Sequence, residues 1–249
     1  MPFTPTHMLA VVPIAAVSRG WLPFSALAIG SMIPDFPLFC PISPSYATTH
    51  SPLGLFTACL PLGLAAFFLF HSVMKAPLLA LLPRAIQSRC LGLEAPTRRT
   101  LVPAVLALVA GAATHVFWDS FTHRGRWGTQ LVPALNAVAF QVGGQPIAGY
   151  KLFQYGSTFV GLPCLFLLLM AWLKRREPRE IDPNHRLSMK TKGLAYALAV
   201  VLPACVSLLV WQQRDLSRYE RLGQAISDSG LALAIASLGY CLVFQMNAD

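Results

Sequence analysis

Leu101–His123, LVPAVLALVAGAATHVFWDSFTH, decides the fold. The run opens as an apolar helix of membrane-crossing length, from about Leu101 to Asp119 or beyond, with Pro103 tolerable in its first turn. Its second half then carries His115, Asp119 and His123 at steps of four. On a helix of about 3.6 residues per turn each step advances only about 40°, so imidazole, carboxylate and imidazole share one face. We read this face as half of a metal site, and the first half of the chain as the source of the other half.

Composition agrees with a bilayer. Hydrophobic residues make up 55% of the 249 and charged residues only 12%, with a mean hydropathy of +0.57, too few charges to coat a water-soluble globule. The net charge of +9 does not point to nucleic acid, because the basic residues gather in loops between apolar spans. The expected fold is all-α: a polytopic integral-membrane helical bundle with an N-terminal helical hairpin and about five further spans. A single membrane domain is expected over 1–249, with a metal-site core at 1–173, a basic loop at 174–192 and a C-terminal helical pair at 193–249. MPFTPTHMLA has no basic residue before its apolar stretch, so no signal peptide is expected. The six cysteines lack any C-x-x-C pair, and neither a disulfide framework nor a thiolate metal site is inferred.

From Thr6 to Ile33 the apolar run is broken at Ser18-Arg19-Gly20, followed by Trp21 and Pro23, which is punctuation for a turn and a new helix. One continuous span is the alternative. A hairpin would return Asp35 to the end that holds His7, whereas a continuous span would put them on opposite faces of the bilayer. Gly30 to His50 holds four prolines and reads as an irregular loop. The spans that follow are Ser51–Met74, with Pro61 as a kink, then Leu101 onward, Lys151–Leu173, Gly193–Trp211 and Gly230–Phe244. Residues 75–100 read as a basic loop, and 124–150 as a loop or surface helix. His71 is read as a buried or inner-interface histidine and His185 as a solvated one.

Twelve of the nineteen Lys and Arg residues fall within 75–99 and 174–192. The positive-inside bias therefore puts both loops in the cytoplasm, in a bacterial cytoplasmic membrane, and the His115–His123 end toward the outer face. Before the basic loop at 174 only three acids occur, Asp35, Glu94 and Asp119, and two of them accompany histidines. Ionisable groups in a membrane cost several kcal/mol and are functional by default. Imidazole and carboxylate donors without thiolate suit Zn²⁺, Mn²⁺ or Fe²⁺, one ion or two.

The order Thr6-His7, Ile33-Pro34-Asp35, Thr49-His50-Ser51 and Thr114-His115 with Asp119 resembles membrane-bound metal-dependent hydrolases that include a LexA-regulated inner-membrane protein. More closely, MPFTPTH, GSMIPDFP, HSPLGLF, HVFWDSFTHR and YKLFQYGST resemble the bacterial domain-of-unknown-function family 4184, a likeness that runs to about Trp172. In ligand order alone the chain is similar to zinc-dependent phospholipases C. That resemblance implies His7, Asp35, His50, His115 and Asp119 as metal ligands, with His123 a further ligand or proton shuttle and Asp119 and His123 as catalytic residues.

The expected function is metal-dependent hydrolysis, of a lipid or other phosphoester, at the outer membrane face. Lys151, Gln154 and Arg124 are candidate substrate contacts, with Arg126 another basic residue able to meet an anion. Two other classes are open at this point: a cation- or proton-coupled transporter or channel using the same His/Asp cluster, and a catalytically silent scaffold.

Overall fold

The computed structural model describes residues 3–40, 44–91, 97–181, 186–213 and 215–246. Its fold is all-α and polytopic. Five helices are long and apolar enough to cross a membrane: Leu55–Leu81, Leu101–Thr122, Gly149–Lys174, Met189–Trp211 and Glu220–Met246. They expose large apolar side chains such as Phe159, Leu167 and Val200, the surface a lipid environment requires. His185 and Glu94 lie outside the described residues.

The chain divides into two compact units, one of residues 1–36, 43–67 and 96–174, the other of 37–42, 68–95 and 175–249. The first unit begins with the helical hairpin. Arg19 and Gly20 both take positive φ, 50° and 87°, and this left-handed pair reverses the chain between Met8–Val17 and Phe24–Gly30. Both arms are too short to cross a bilayer alone, so the hairpin returns to the end where it started.

Among the five membrane-length helices, Leu101–Thr122 has the largest share of its length buried, 39%. Small residues explain how it packs. Gly30 and Gly111 sit where the second hairpin arm crosses this helix, and a Cβ on Gly30 would stand 2.3 Å from the Leu108 carbonyl oxygen. Ala26, Ala104 and Ala107 are fully buried around the same crossing, with Val11, Leu27, Phe67 and Leu108 filling the remaining core. Without water to drive helices together, such close backbone approach is what holds them in lipid. The first span opens with a π-helical turn, Leu55–Cys59, just before Pro61, whose ring does not fit an ordinary helical turn.

Two stretches depart from expectation. Residues 124–150 carry, besides the short helix Trp127–Leu131, an antiparallel β-hairpin pairing Val138–Val142 with Gln145–Ala148. Gly143 and Gly144, at φ 55° and 78°, make its turn; both central residues at positive φ match the right-handed twist of paired strands. Residues 75–100 are largely helical rather than a loop, since the first span runs on to Leu81 and Arg84–Cys90 forms another helix.

In the second unit, Met189–Trp211 and Arg218–Met246 pack against each other. Its basic side chains cap helix ends: Arg176 Nε donates to the Arg89 carbonyl, and Lys192 Nζ to that of Leu82. Carbonyls at a helix C-terminus lack intrahelical donors, and a cation satisfies both their hydrogen bonds and the dipole. His71 sits in a second π-helical turn, Phe70–Met74, in this unit.

Candidate metal centre

Four segments converge on one buried point in the first unit. Asp35 ends the 3₁₀ turn after the second hairpin arm. His50 follows the short helix Tyr46–Thr49, whose N-cap Ser45 accepts from the Thr48 amide. His115 and Asp119 lie one turn apart on the second span, and His7 closes the 3₁₀ turn at the N-terminal end. All five side chains are 0 to 5% exposed. The hairpin thus brings Asp35 beside the N-terminal turn, where Thr4 Oγ1 donates to Asp35 Oδ2 across 2.7 Å.

One donor atom from each of Asp35, His50, His115 and Asp119 lies within 4.8 Å of all the others. The ring orientations decide what the donors can do. His115 Nδ1 lies 2.7 Å from the Ser31 carbonyl and His50 Nδ1 lies 3.0 Å from the Tyr46 carbonyl. A carbonyl only accepts, so Nδ1 carries a proton in both rings, and in the neutral ring Nε2 presents a bare lone pair. Neither Nε2 has a hydrogen-bond partner, nor does Asp35 Oδ1.

These bare acceptors face one another. His115 Nε2 is 3.5 Å from both Asp35 Oδ1 and Asp119 Oδ2, while His50 Nε2 is 3.8 Å from Asp35 Oδ1 and 3.5 Å from Asp119 Oδ2. Charge-assisted hydrogen bonds would draw such atoms to about 2.7–2.9 Å. Donors at 2.0–2.2 Å from one tetrahedral ion stand about 3.3–3.6 Å apart. The four separations therefore suit a shared cation and not a hydrogen-bonded network. The second-shell groups suit it as well: Thr4 on Asp35, Thr122 Oγ1 donating to Asp119 Oδ1 at 3.2 Å, and the two backbone carbonyls behind the imidazoles.

His7 flanks this set. Its ring stacks on His115 with centroids 3.8 Å apart and planes at 17°, and its Nε2 lies 3.5 Å from Asp119 Oδ1, the carboxylate oxygen turned away from His50 and His115. Both His7 nitrogens are buried without a hydrogen-bond partner. Burial pushes its pKa well below the usual imidazole value, which favours the neutral ring, the form that binds a metal. His123 is the outermost member, with its side chain 21% exposed and its Nδ1 3.5 Å from Asp119 Oδ2.

Three further residues are expected to contact substrate. Gln154 is buried, Lys151 half-buried and Arg124 exposed, and none belongs to the four-donor group. Tyr46 and Thr4 reach the site without having been singled out. Tyr46 stacks on His50 with centroids 3.8 Å apart and donates to Asp119 Oδ2 at 3.4 Å. Burial, with the charges of Asp119 and Asp35, raises its phenol pKa well above the usual value, so it stays protonated. One local signal was present: His7, His50, His115 and His123 each follow a threonine, unlike His71 and His185. Thr6, Thr49 and Thr114 each bond a carbonyl three residues back, and Thr122 bonds the Asp119 carboxylate three residues back.

Among known proteins, the model of one family, described as Domain of unknown function (DUF4184), matches residues 1–245. No curated protein and no solved structure matches the chain.

Proposed function

The chain belongs to the DUF4184 family, and on that premise we propose that it is a membrane-embedded metal-dependent hydrolase acting on a phosphoester. The observation that carries this reading is the pair of bare Nε2 atoms, each backed by a carbonyl, facing two buried carboxylate oxygens at 3.5 to 3.8 Å. With neutral rings and no cation, acceptors so placed repel one another, and burial of unpaired carboxylates is costly. Two imidazoles and two carboxylates fit Zn²⁺ best, with Mn²⁺ and Fe²⁺ as the other ions of matching donor preference.

A bound divalent ion lowers the pKa of a coordinated water toward neutrality and stabilises charge on a phosphoryl oxygen. The chain's residues divide the remaining work. Asp35, His50, His115 and Asp119 would hold one ion. Asp119 Oδ1 and His7 Nε2, 3.5 Å apart, would supply two donors toward a second. His123, the outermost imidazole, would relay a proton outward from the site once its buried Nε2 meets water.

The expected membrane placement supports a lipid phosphoester as the substrate. Phe117, Phe121 and Trp127 cluster at the site end of the second span, and Trp118 there packs on Phe153, as aromatic side chains do at the headgroup level. Arg99 flanks its opposite end. With the basic segments in the cytoplasm of a bacterial inner membrane, the site opens toward the outer leaflet.

The test is turnover of phosphodiesters and phospholipids by zinc-loaded protein in detergent. Hydrolysis that is abolished by Asp119→Asn and by chelation, and restored by added metal, upholds the reading. Stoichiometric metal without turnover, accompanied by cation flux in liposomes, would replace it with transport.

A further inference from the structure

The fold seals the cage on most sides, and the residues at its margin say what it admits. Tyr46 is half-buried, its ring stacked on His50. The guanidinium of Arg126 lies over that ring, 5.7 Å from its centroid. A cation, a phenol and a cage imidazole are thus arranged in series. Arg126 is fixed there by its own backbone: its carbonyl accepts from Thr129 Oγ1 at 2.9 Å and from the Gln130 amide at 3.1 Å. Thr129, fully buried, also donates to the His123 carbonyl at 3.1 Å. The turn that carries Arg126 is therefore tied to His123 at the margin of the cage.

Among the described residues no carboxylate pairs with Arg126 and no acceptor takes its guanidinium hydrogens, although two buried carboxylates lie in the adjoining cage. Its donors remain free for a ligand. Tyr46 is similarly uncommitted, because a 3.4 Å bond to Asp119 is longer than a strong O–H···O⁻ contact of about 2.5–2.7 Å.

We propose that Arg126 and Tyr46 form an oxyanion seat at the mouth of the cage, selecting substrates that carry a phosphate group next to the bond attacked. A guanidinium offers parallel N–H donors that match two oxygens of a phosphate, which a lysine cannot reproduce. The phenol donates to a third oxygen by turning away from Asp119. This assignment rests on the hydrolase reading, and it names the group that reading requires at the reacting end of the substrate.

Inorganic phosphate is the probe, titrated calorimetrically at constant ionic strength into full-length zinc-loaded protein in detergent. Arg126→Gln is expected to weaken phosphate at least tenfold with zinc content unchanged, Arg126→Lys to recover part of the loss, and Tyr46→Phe to weaken it about threefold. Arg19→Gln, the same change of charge in the hairpin turn, is expected to leave binding as in the wild type. Displacement of phosphate by dibutyl phosphate or by phosphatidylglycerol in nanodiscs tells a water-soluble ester from a lipid headgroup, and either supports the seat. Displacement by neither overturns it. So does an Arg126→Gln protein that retains both zinc and wild-type phosphate affinity, or a loss of zinc in both Arg126 variants. A wild type that holds no metal fails the hydrolase reading instead, which keeps the two failures distinct.

Discussion

Gly111 and Ser31 meet backbone to backbone: a Cβ on Gly111 would stand 2.7 Å from the Ser31 amide nitrogen and 2.3 Å from the Leu27 carbonyl oxygen. One turn along, the same crossing lets His115 Nδ1 reach the Ser31 carbonyl, and four residues past Ser31 comes Asp35. The packing of two helices and the aim of two site residues are therefore one constraint.

Gly111→Val should test it, since the atoms its side chain would meet are backbone and cannot turn aside. Overpacking of this kind costs about 1–3 kcal/mol. The expected result is a lower midpoint of thermal unfolding in detergent together with loss of bound zinc. Gly239→Val, with open space around its position, should change neither.

Asp35→Asn should have opposite consequences in the two states of the site. In chelator-treated protein it removes a buried charge facing other acceptors and is expected to leave stability equal or higher. In the presence of zinc it removes a ligand, so the stabilisation that metal confers on the wild type should shrink. Unfolding scans with and without zinc, on both proteins, measure that difference.

Thr4→Val removes only the hydroxyl that donates to Asp35 Oδ2. Second-shell losses of this sort cost about 10–100-fold in metal affinity. Competition against a chromogenic chelator should find zinc retained but bound more weakly by that factor, whereas His50→Ala should retain none.

Much of this was legible in the chain. The steps of four from His115, the break at Ser18-Arg19-Gly20 and the spacing of apolar runs follow from helical periodicity and from the chain reversal that two left-handed residues make at the break. The β-hairpin was legible too: Gly143-Gly144 between VAFQV and QPIA is a turn signal, obscured by reading the stretch only as a link between spans. Tyr46 and Thr4 were not accessible in the same way. Thr4 acts across 31 residues through Asp35, and Tyr46, besides stacking on His50 four residues on, reaches Asp119 across 73; no local period records contacts of that range.

Acidification should release the metal, because a proton and a cation compete for the same Nε2 lone pair. Affinity therefore falls as the proton concentration rises. With two histidines in the cage the limiting slope is about two decades per pH unit. Zinc retained after dialysis across pH 5 to 8 gives the curve.

The placement in the membrane makes its own demand. A cysteine at Gln145, in the exposed hairpin at the site end, is expected to react with a membrane-impermeant maleimide on spheroplasts above the wild-type background. One at Arg179 should react only after the membrane is opened. The reverse pattern would turn the site toward the cytoplasm.

Zinc-edge X-ray absorption on the purified wild-type protein tests the central claim most directly. The four-donor cage predicts about one or two ions per chain, with nitrogen and oxygen neighbours at about 2.0–2.1 Å, imidazole outer-shell scattering and no sulfur. Protein that binds no stoichiometric metal, or a spectrum dominated by sulfur at about 2.3 Å, would contradict the assignment of Asp35, His50, His115 and Asp119 as a cation cage.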